Sequence, residues 1–269
     1  MTAMSTAQKP AAVARHARLT PGHAERVATT LTRLHQAAEA HAPRIVQATS
    51  LGAEDMVLTD MIARHGLPIA VATLATGALH AETLELIPHL EAHYGLAVER
   101  WSPPAEGVIA FVARRGERAM YESLALRKAC CALRKLEPLS RMLEGRSAWV
   151  TGLRREQSAA RAVVPNEQLD ENGRAKLNPL AEWTDADVWH YIGEHGVPYN
   201  ALHDRFFPSI GCAPCTRAVA RGEDPRAGRW WWEQAGAKEC GLHVAQEAPG
   251  AAGTQGVGSG VAEREEVSA

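Results

Sequence analysis

The chain has 269 residues and carries 29 lysines and arginines against 31 aspartates and glutamates. This length is enough for one well-packed domain, and the near balance of charge gives no overall field that would attract a nucleic acid. The longest apolar stretch, LPIAVATLATGAL, is too short and too interrupted to cross a bilayer, and the N-terminus lacks the apolar core of a signal peptide. We therefore predict a cytoplasmic protein with no membrane and no nucleic-acid partner.

The two ends of the sequence differ in composition from its middle. Residues 1–20 and 244–269 are small, polar and aperiodic, which is typical of disordered tails. We predict a single domain over residues 21–243 between them. Its first helix is expected to begin near Thr20-Pro21 and to run to His41, because proline suits the first helical position.

From Arg44 onward, short β-branched runs alternate with helical patterns. RIVQATS, PIAVATL and LAVERWS are predicted strands, separated by the predicted helices EDMVLTDMIARHG and HAETLELIPHLEAHYG. A helical region over 104–144, a strand in SAWVTG, a hairpin around DENG and a helix capped by Thr184 and Asp187 follow. The βαβαβ order predicts an α/β fold, a Rossmann-like parallel sheet with helices on both faces.

Two turns follow the first two strands of the predicted sheet. TSLGAEDMVL leads from a strand into a helix, and TLATGALH ends the next strand, so both lie at the carboxyl edge of the sheet, where ligands bind. Backbone N–H groups at a helix N-terminus attract anions, although an ordinary βα turn would have the same pattern. The first turn is not a Walker loop, because it lacks the Gly-Lys-Ser/Thr ending.

Four of the five cysteines form two close pairs. Cys130 and Cys131 are adjacent, and Cys212 and Cys215 form a C-x-x-C. Four thiolates can hold a zinc ion or an iron–sulfur cluster, and adjacent ligands favour the cluster because zinc pairs are usually spaced by two to four residues. A redox dithiol in the second pair and buried core thiols in the first remain alternatives.

Arginines gather in two later loops. TGLRREQSAAR ends a buried strand with Arg154, Arg155 and Arg161, whose planar guanidinium groups suit phosphate or sulfate but could equally be solvated. RGEDPRAGRWWWEQ adds Arg226 and Arg229, ahead of three tryptophans that we predict to be packing anchors.

The fifth cysteine, Cys240, lies in AKECGLH near the end of the chain. Lys238 and His243 are within a few residues, and nearby cations lower the pKa of a thiol and make it a nucleophile. An inert surface thiol is the alternative interpretation from the local sequence.

Taken together, these stretches resemble the assimilatory adenylyl-sulfate (APS) reductases within the larger group of APS and PAPS reductases. The resemblance runs from about Thr49 to His243 and is carried by SLGAEDMVL, CCALRKLEPL, TGLRREQS, NPLAEWTDADVW, SIGCAPCTRA and KECGLH. It implies an ATP-pyrophosphatase-like (adenine nucleotide alpha hydrolase-like) fold with a modified pyrophosphate loop at Ser50 to Asp55. It also implies a 4Fe-4S cluster on the paired cysteines, Cys130, Cys131, Cys212 and Cys215. PAPS reductases look similar but generally lack these pairs, so the pairs favour APS.

The resemblance also implies a mechanism in assimilatory sulfate reduction and cysteine biosynthesis. The Cys240 thiolate would attack the sulfuryl sulfur of APS, AMP would leave, and thioredoxin or a glutaredoxin-like reductant would release sulfite. Cations neutralise the charge that develops on sulfate and phosphate. By matching motifs, Lys135 and His243 are expected beside Cys240 in catalysis. The expected substrate-binding residues are Ser50, Leu74, Gly152, Arg161, Arg226 and Arg229.

One turn departs from the family pattern. The usual Leu-Asp-Thr-Gly-Arg, or its glutamate form, here is Leu74-Ala75-Thr76-Gly77-Ala78, so two polar side chains are absent. A PAPS reductase, an ATP-dependent RNA sulfur-transferase and a zinc-stabilised nucleotide binder remain as competing hypotheses. By family analogy we expect a homo-oligomer.

Overall fold

The computed structural model describes residues 11–233, and a six-stranded sheet forms its centre. The strands lie in the order β3-β2-β1-β4-β6-β5. All neighbours are parallel except β5 and β6, which form the predicted hairpin. The strands are β1 (Ile45–Thr49), β2 (Ala70–Leu74), β3 (Val98–Trp101), β4 (Ala148–Val150), β5 (Glu167–Leu169) and β6 (Ala175–Leu177).

Eight α-helices and several short turns of helix surround the sheet within these residues. The α-helices are α1 (Ala12–His16), α2 (His23–His41), α3 (Ala53–Arg64), α4 (Ala81–Tyr94), α5 (Ala105–Arg115), α6 (Leu124–Cys131), α7 (Glu137–Met142) and α8 (Asp185–His195). A π-helical segment, Ala132–Leu136, joins α6 to α7. The 3₁₀ turns are Ala119–Tyr121, Arg155–Gln157, Ala159–Arg161, Ala201–Arg205 and Ala213–Cys215. No helix within the described residues is long and apolar enough to cross a membrane.

Successive strand residues face opposite sides of the sheet, and each side has its own core. On β1, Ile45 joins the larger core with α2, α3 and α8, whereas Val46 joins the smaller one with Met142 of α7. On β4, Ala148 and Trp149 divide in the same way. Alternation along a strand with burial on both faces is typical of a sheet covered by helices on both sides. The predicted α/β architecture is therefore confirmed.

The structure differs from the predicted disordered tail over residues 11–20. Ala12–His16 is a helix that packs against α8, and the side chain of Ala12 is buried. The Ala12 N–H donates to Asp204 Oδ1 at 2.6 Å, and the Arg15 guanidinium donates to the His203 carbonyl at 2.7 Å. Composition could not reveal these contacts, because their partners lie almost 190 residues further along the chain. The next helix begins at His23, after Gly22 in the left-handed region.

Candidate active site

A cavity of about 1010 Å³ opens where β1, β2 and β4 end. Because β1 lies between the other two strands, the turns that follow the three strands meet at one edge. Seven of the residues expected to contact substrate line this cavity. They are Ser50, Leu74, Lys135, Gly152, Arg161, Arg226 and Arg229. The structure therefore brings together residues that the sequence distributes over five separate motifs.

The turn between β1 and α3 is organised by a buried carboxylate. Asp55 Oδ2 accepts hydrogen bonds from the backbone N–H and the hydroxyl of Ser50, both at 2.6 Å. Burial raises the pKa of Asp55 to about 6, although its hydrogen bonds oppose the shift. Leu51, between them in the loop, is buried with φ 61°, a left-handed conformation that is strained for leucine. The loop between β1 and α3 is thus held in this strained conformation at the N-terminus of α3. Helix N-termini are sites where anions bind.

Gly152 completes this cradle from the end of β4. Its N–H donates to Asp55 Oδ1 at 3.0 Å. A Cβ atom at this position would lie 2.5 Å from the same oxygen and 2.9 Å from Glu54 Cβ. Only a glycine fits this close approach between two loops.

Arg154 is neutralised by its own neighbours. It is almost fully buried, and its guanidinium donates to Glu54 Oε1 at 2.9 and 3.0 Å and to Glu156 at 3.0 Å. Burial alone would raise the pKa of Glu54, but the charge of Arg154 and a hydrogen bond from Gln157 outweigh it, so the pKa is lowered. Arg154 therefore fixes the loop after β4, and the phosphate role weighed for it from sequence does not fit.

The remaining cations reach the cavity from two loops. Arg161 donates to Gln157 Oε1 at 2.6 Å, which ties it to the same network as Glu54. Arg229 is buried, donates to the Ile210 carbonyl at 3.0 Å and lies 4.7 Å from the ring centroid of Trp230. Trp230 is 1% exposed, which fits the packing role predicted for the three tryptophans, whereas Trp231 is 39% exposed and does not fit it. These contacts hold cations in place before any ligand arrives.

The four paired cysteines line a second cavity of about 500 Å³ beside the first. All four thiols are buried, and none forms a disulfide within the described chain. Burial raises the pKa of Cys130 and raises that of Cys215 to about 12, and the neighbouring Cys212 adds to the second shift. Between residues 11 and 233, no three of these sulfur atoms lie within 4.8 Å of one another. Buried thiols that face a common space are the donor set of a metal or cluster site.

Lys135 lines both cavities. It lies in the π-helical segment that begins directly after Cys131. A π-turn inserts an extra residue into the helix and changes the direction in which the following side chains point, and such turns are frequent at functional sites. This local irregularity places one cation at the boundary between the thiols and the sheet edge.

The turn after β2 contacts the second cysteine pair directly. Thr76 Oγ1 lies 3.3 Å from Cys212 Sγ, and the Ala213 N–H donates to the Ala78 carbonyl at 2.7 Å. The guanidinium of Arg134 donates to the Thr76 carbonyl at 2.8 Å. The departure from the usual turn sequence therefore lies against the cysteine cavity, with Ala78 packed on its apolar wall. Sequence reasoning did not identify Thr76, and its only signal was its place at a strand end.

The described chain ends beside this cavity. Glu233 forms a buried, bidentate pair with Arg127 at 2.8 and 2.9 Å, and Arg127 also hydrogen bonds to Cys131. The predicted nucleophile Cys240 and its neighbour His243 lie outside the described residues.

The fold and the two cavities define an adenine nucleotide alpha hydrolase-like α/β protein with a four-cysteine site. The sequence profile of the phosphoadenosine phosphosulfate reductase domain matches residues 44–218, and the chain belongs to this family. Among curated relatives, the adenosine 5'-phosphosulfate reductase of Allochromatium vinosum is 57% identical over 206 residues, covering 76% of this chain and 80% of that protein. That of Burkholderia cepacia is 51% identical over 232 residues, covering 86% and 92%.

Solved structures agree on the fold. A phosphoadenylyl-sulfate (PAPS) reductase from Candida auris, in a phosphate complex, superposes with a TM-score of 0.61 at 26% identity, covering 75% of this chain and 98% of that one. The FMN adenylyltransferase of Candida glabrata, in a complex with FAD and pyrophosphate, has a TM-score of 0.53 at 15% identity, covering 88% and 81%. At that identity the second likeness shows the fold alone.

Proposed function

We propose that this protein reduces adenosine 5'-phosphosulfate to sulfite and AMP in assimilatory sulfate reduction. The observation that carries the proposal is that the six expected substrate-binding residues and Lys135 line one cavity, directly beside four buried thiols. The adenosine 5'-phosphosulfate reductases among its relatives give the reaction class.

The described residues supply binding and charge neutralisation. The Leu74 backbone at the end of β2 and the cradle of Ser50 and Gly152 are suited to the nucleotide, because they offer close backbone approach at a helix N-terminus. Arg161, Arg229 and their neighbours in the cavity are suited to the phosphosulfate anion. Held cations lower the barrier because they need little reorganisation when charge moves to the leaving phosphate.

In the proposed reaction, the Cys240 thiolate forms a bond to the sulfuryl sulfur while the bond from that sulfur to the phosphate oxygen breaks. AMP leaves with the electron pair, so no general acid is needed, and an S-sulfocysteine remains. A dithiol protein such as thioredoxin then attacks the cysteine sulfur, releases sulfite and becomes a disulfide, which supplies the two electrons. Cys240 is seven residues beyond Glu233, so the covalent chain keeps it within about 25 Å of that anchor.

The cysteine cavity fits a 4Fe-4S cluster better than a single zinc ion. Thiolates around one zinc lie about 3.8 Å apart, because each Zn–S bond is about 2.3 Å. No three of the four sulfur atoms lie within 4.8 Å of one another in the described residues, so they are not arranged around a single zinc ion, and a larger cluster suits them better. Four cations also line the cavity and would offset the charge of four thiolates: Arg118, Arg127, Arg134 and Lys135. When bound, the cluster would set the electrostatic environment of Lys135.

The proposal includes the setting in which the enzyme works. Thiols that must stay reduced and a thioredoxin partner fit the cytoplasm, where disulfides are rare. The homo-oligomer expected by family analogy is part of the same proposal.

The decisive experiment uses anaerobically purified full-length protein and adenosine 5'-phosphosulfate without reductant. We expect the intact mass to increase by one sulfonate group, mapped to Cys240, and thioredoxin to reverse the increase and release sulfite. Cys240→Ser should bind nucleotide and retain iron but gain no mass. A sulfonate on another residue, or none with AMP released, would contradict the proposal.

A PAPS reductase is the second candidate, because the solved structure at 26% identity is one. Turnover of the two nucleotides at equal concentration separates the candidates. We expect faster turnover of the form without the 3′-phosphate, and the opposite preference would assign the other substrate.

A further inference from the structure

A second cluster of ligand-type side chains, His23, His190 and Glu194, lies between the start of α2 and α8. Its first member, His23, has Nδ1 2.9 Å from Asp187 Oδ1. Asp187 also accepts hydrogen bonds from the Arg26 guanidinium, from the Thr20 hydroxyl and from the backbone N–H and hydroxyl of Thr184. An ionised carboxylate only accepts hydrogen bonds, so Nδ1 carries the proton and donates it.

The other ring nitrogen of His23 has no hydrogen-bond partner. His23 is 5% exposed, and its Nε2 atom is buried. With the proton held on Nδ1, Nε2 of the neutral ring presents a lone pair. A buried polar atom without a partner costs free energy, and one in a native site calls for a ligand or ion.

Two further ligand-type side chains approach the His23 ring from α8. His190 and Glu194 are four residues apart and therefore share a face of the helix, with His190 Nε2 3.8 Å from Glu194 Oε2. The rings of His23 and His190 are nearly perpendicular, with centroids 4.8 Å apart. One ligand atom from each of the three residues lies within 4.8 Å of the others.

We propose that His23, His190 and Glu194 form a zinc site that joins the start of α2 to α8. Two histidines and one glutamate are an established donor set for zinc, with water in the fourth position. Asp187 supplies the carboxylate that orients a metal-binding histidine through its other nitrogen.

The geometry needs only a small adjustment. Ligands about 2.0–2.2 Å from a tetrahedral zinc lie about 3.4 Å apart. Glu194 is 54% exposed at its side chain and His190 is 26% exposed, so both can move toward the buried His23. The site is independent of the proposed reductase reaction, because none of its residues lines either of the two cavities.

A bound zinc ion would cross-link the start of α2 to α8 and so stabilise the N-terminal part of the fold. A metal that binds only the folded state stabilises it, and the stabilisation grows with metal concentration. The competing account is a network without metal, in which a doubly protonated His23 lies between Asp187 and Glu194.

The test uses full-length protein with its cysteine site loaded, freed of loose metal by a mild chelator and titrated with Zn²⁺ alone. We expect one zinc equivalent to bind and the melting temperature to rise. His190→Gln and Glu194→Gln change partly exposed positions and should each weaken zinc binding at least about tenfold. His89→Gln, an exposed histidine of α4 whose ring stacks on His93, is the matched control and should bind zinc as the unsubstituted protein does.

Co²⁺ distinguishes this site from the thiols. Bound to nitrogen and oxygen ligands, it should give weak visible d–d bands without the strong thiolate charge-transfer absorption, and these bands should vanish in His190→Gln and Glu194→Gln. No zinc binding, binding unchanged in both variants, loss of binding in His89→Gln, or a thiolate spectrum would each overturn the proposal.

Discussion

The two neighbouring cavities differ in how their ionisable side chains are neutralised. At the sheet edge, charged groups are already engaged with protein partners, as Asp55 is with Ser50 and Gly152, and Arg154 with Glu54. In the cysteine cavity, burial raises the pKa of the Cys130 and Cys215 thiols above the ordinary range, which favours their protonated forms. The first cavity is prepared for an anion that comes and goes. The second is suited to the resident metal group that we propose, which would replace the thiol protons.

Lys135 lines both cavities. The question is therefore whether substrate binding in the first cavity can be changed without affecting the cysteine site, and the reverse. If the sheet edge binds substrate and the cysteines hold a resident cofactor, a change in one region should leave the other region's measurement largely intact. Substitutions in each region test this separation.

Cys212→Ser should abolish the cofactor. Serine is a poor ligand for iron, and the remaining three thiols cannot complete the site. Iron and sulfide analysis under anaerobic conditions should fall from four of each per chain to nearly none, and sulfite production should stop. Cys240→Ser is the control and should keep its iron. Full iron content in Cys212→Ser would remove this residue from the ligand set.

Lys135→Met should leave the iron in place and reduce the rate of sulfonate transfer. Removing a preorganised charge that stabilises a transition state typically costs about 10²–10³ in kcat. Lys128→Met, an exposed position on the preceding helix, is the matched control and should have little effect. A change in KM alone, with kcat intact, would limit Lys135 to ground-state binding.

Gly152→Ala should weaken nucleotide binding by about tenfold, because forced overpacking costs about 1–3 kcal/mol. The new Cβ would lie 2.5 Å from Asp55 Oδ1. Calorimetry with AMP measures the effect, and iron content should not change. Gly107→Ala in α5 is a control, because its nearest neighbour is a flexible leucine side chain at 3.1 Å. Equal affinities in the two variants would mean that the nucleotide does not use this cradle.

The pH dependence of AMP binding should reveal Asp55. Its pKa is raised to about 6, so it is ionised at neutral pH and repels an anion beside it. As the pH falls through about 6, Asp55 takes up a proton and AMP affinity should rise severalfold. Asp55→Asn should flatten this profile. An unchanged profile in that variant would assign the titration to another group, such as a histidine of the cavity wall.

The strands and the positions of their turns were predictable because burial leaves a periodic record in sequence. Runs such as PIAVATL are apolar on both faces, and residues that end parallel strands must meet at one edge. That rule alone brings Ser50, Leu74 and Gly152 to the same place. The zinc-or-cluster ambiguity for the four cysteines, by contrast, depends on distances that spacing along the chain does not contain.

Other features could not be predicted because they depend on distant partners. The sequence leaves Arg154 open as a phosphate ligand or a solvated side chain. In the structure Glu54, a hundred residues earlier, neutralises it. The helix Ala12–His16 depends on Asp204 and His203, and the π-helical segment leaves no periodic signal of its own. Polar networks between loops have no sequence period, and local patterns therefore miss them.

The buried contact of Arg127 has a consequence for how such an enzyme would fail. The Arg127 side chain hydrogen bonds to Cys131 and also forms an ion pair with Glu233, from which the chain continues toward Cys240. If oxidation removed the proposed iron from the cysteine site, it would thus also weaken the contacts that hold the chain leading to the reactive thiol of Cys240. Air would then inactivate the enzyme partly by displacement, because the Cys240 thiol would stay chemically intact but would no longer be held near the substrate.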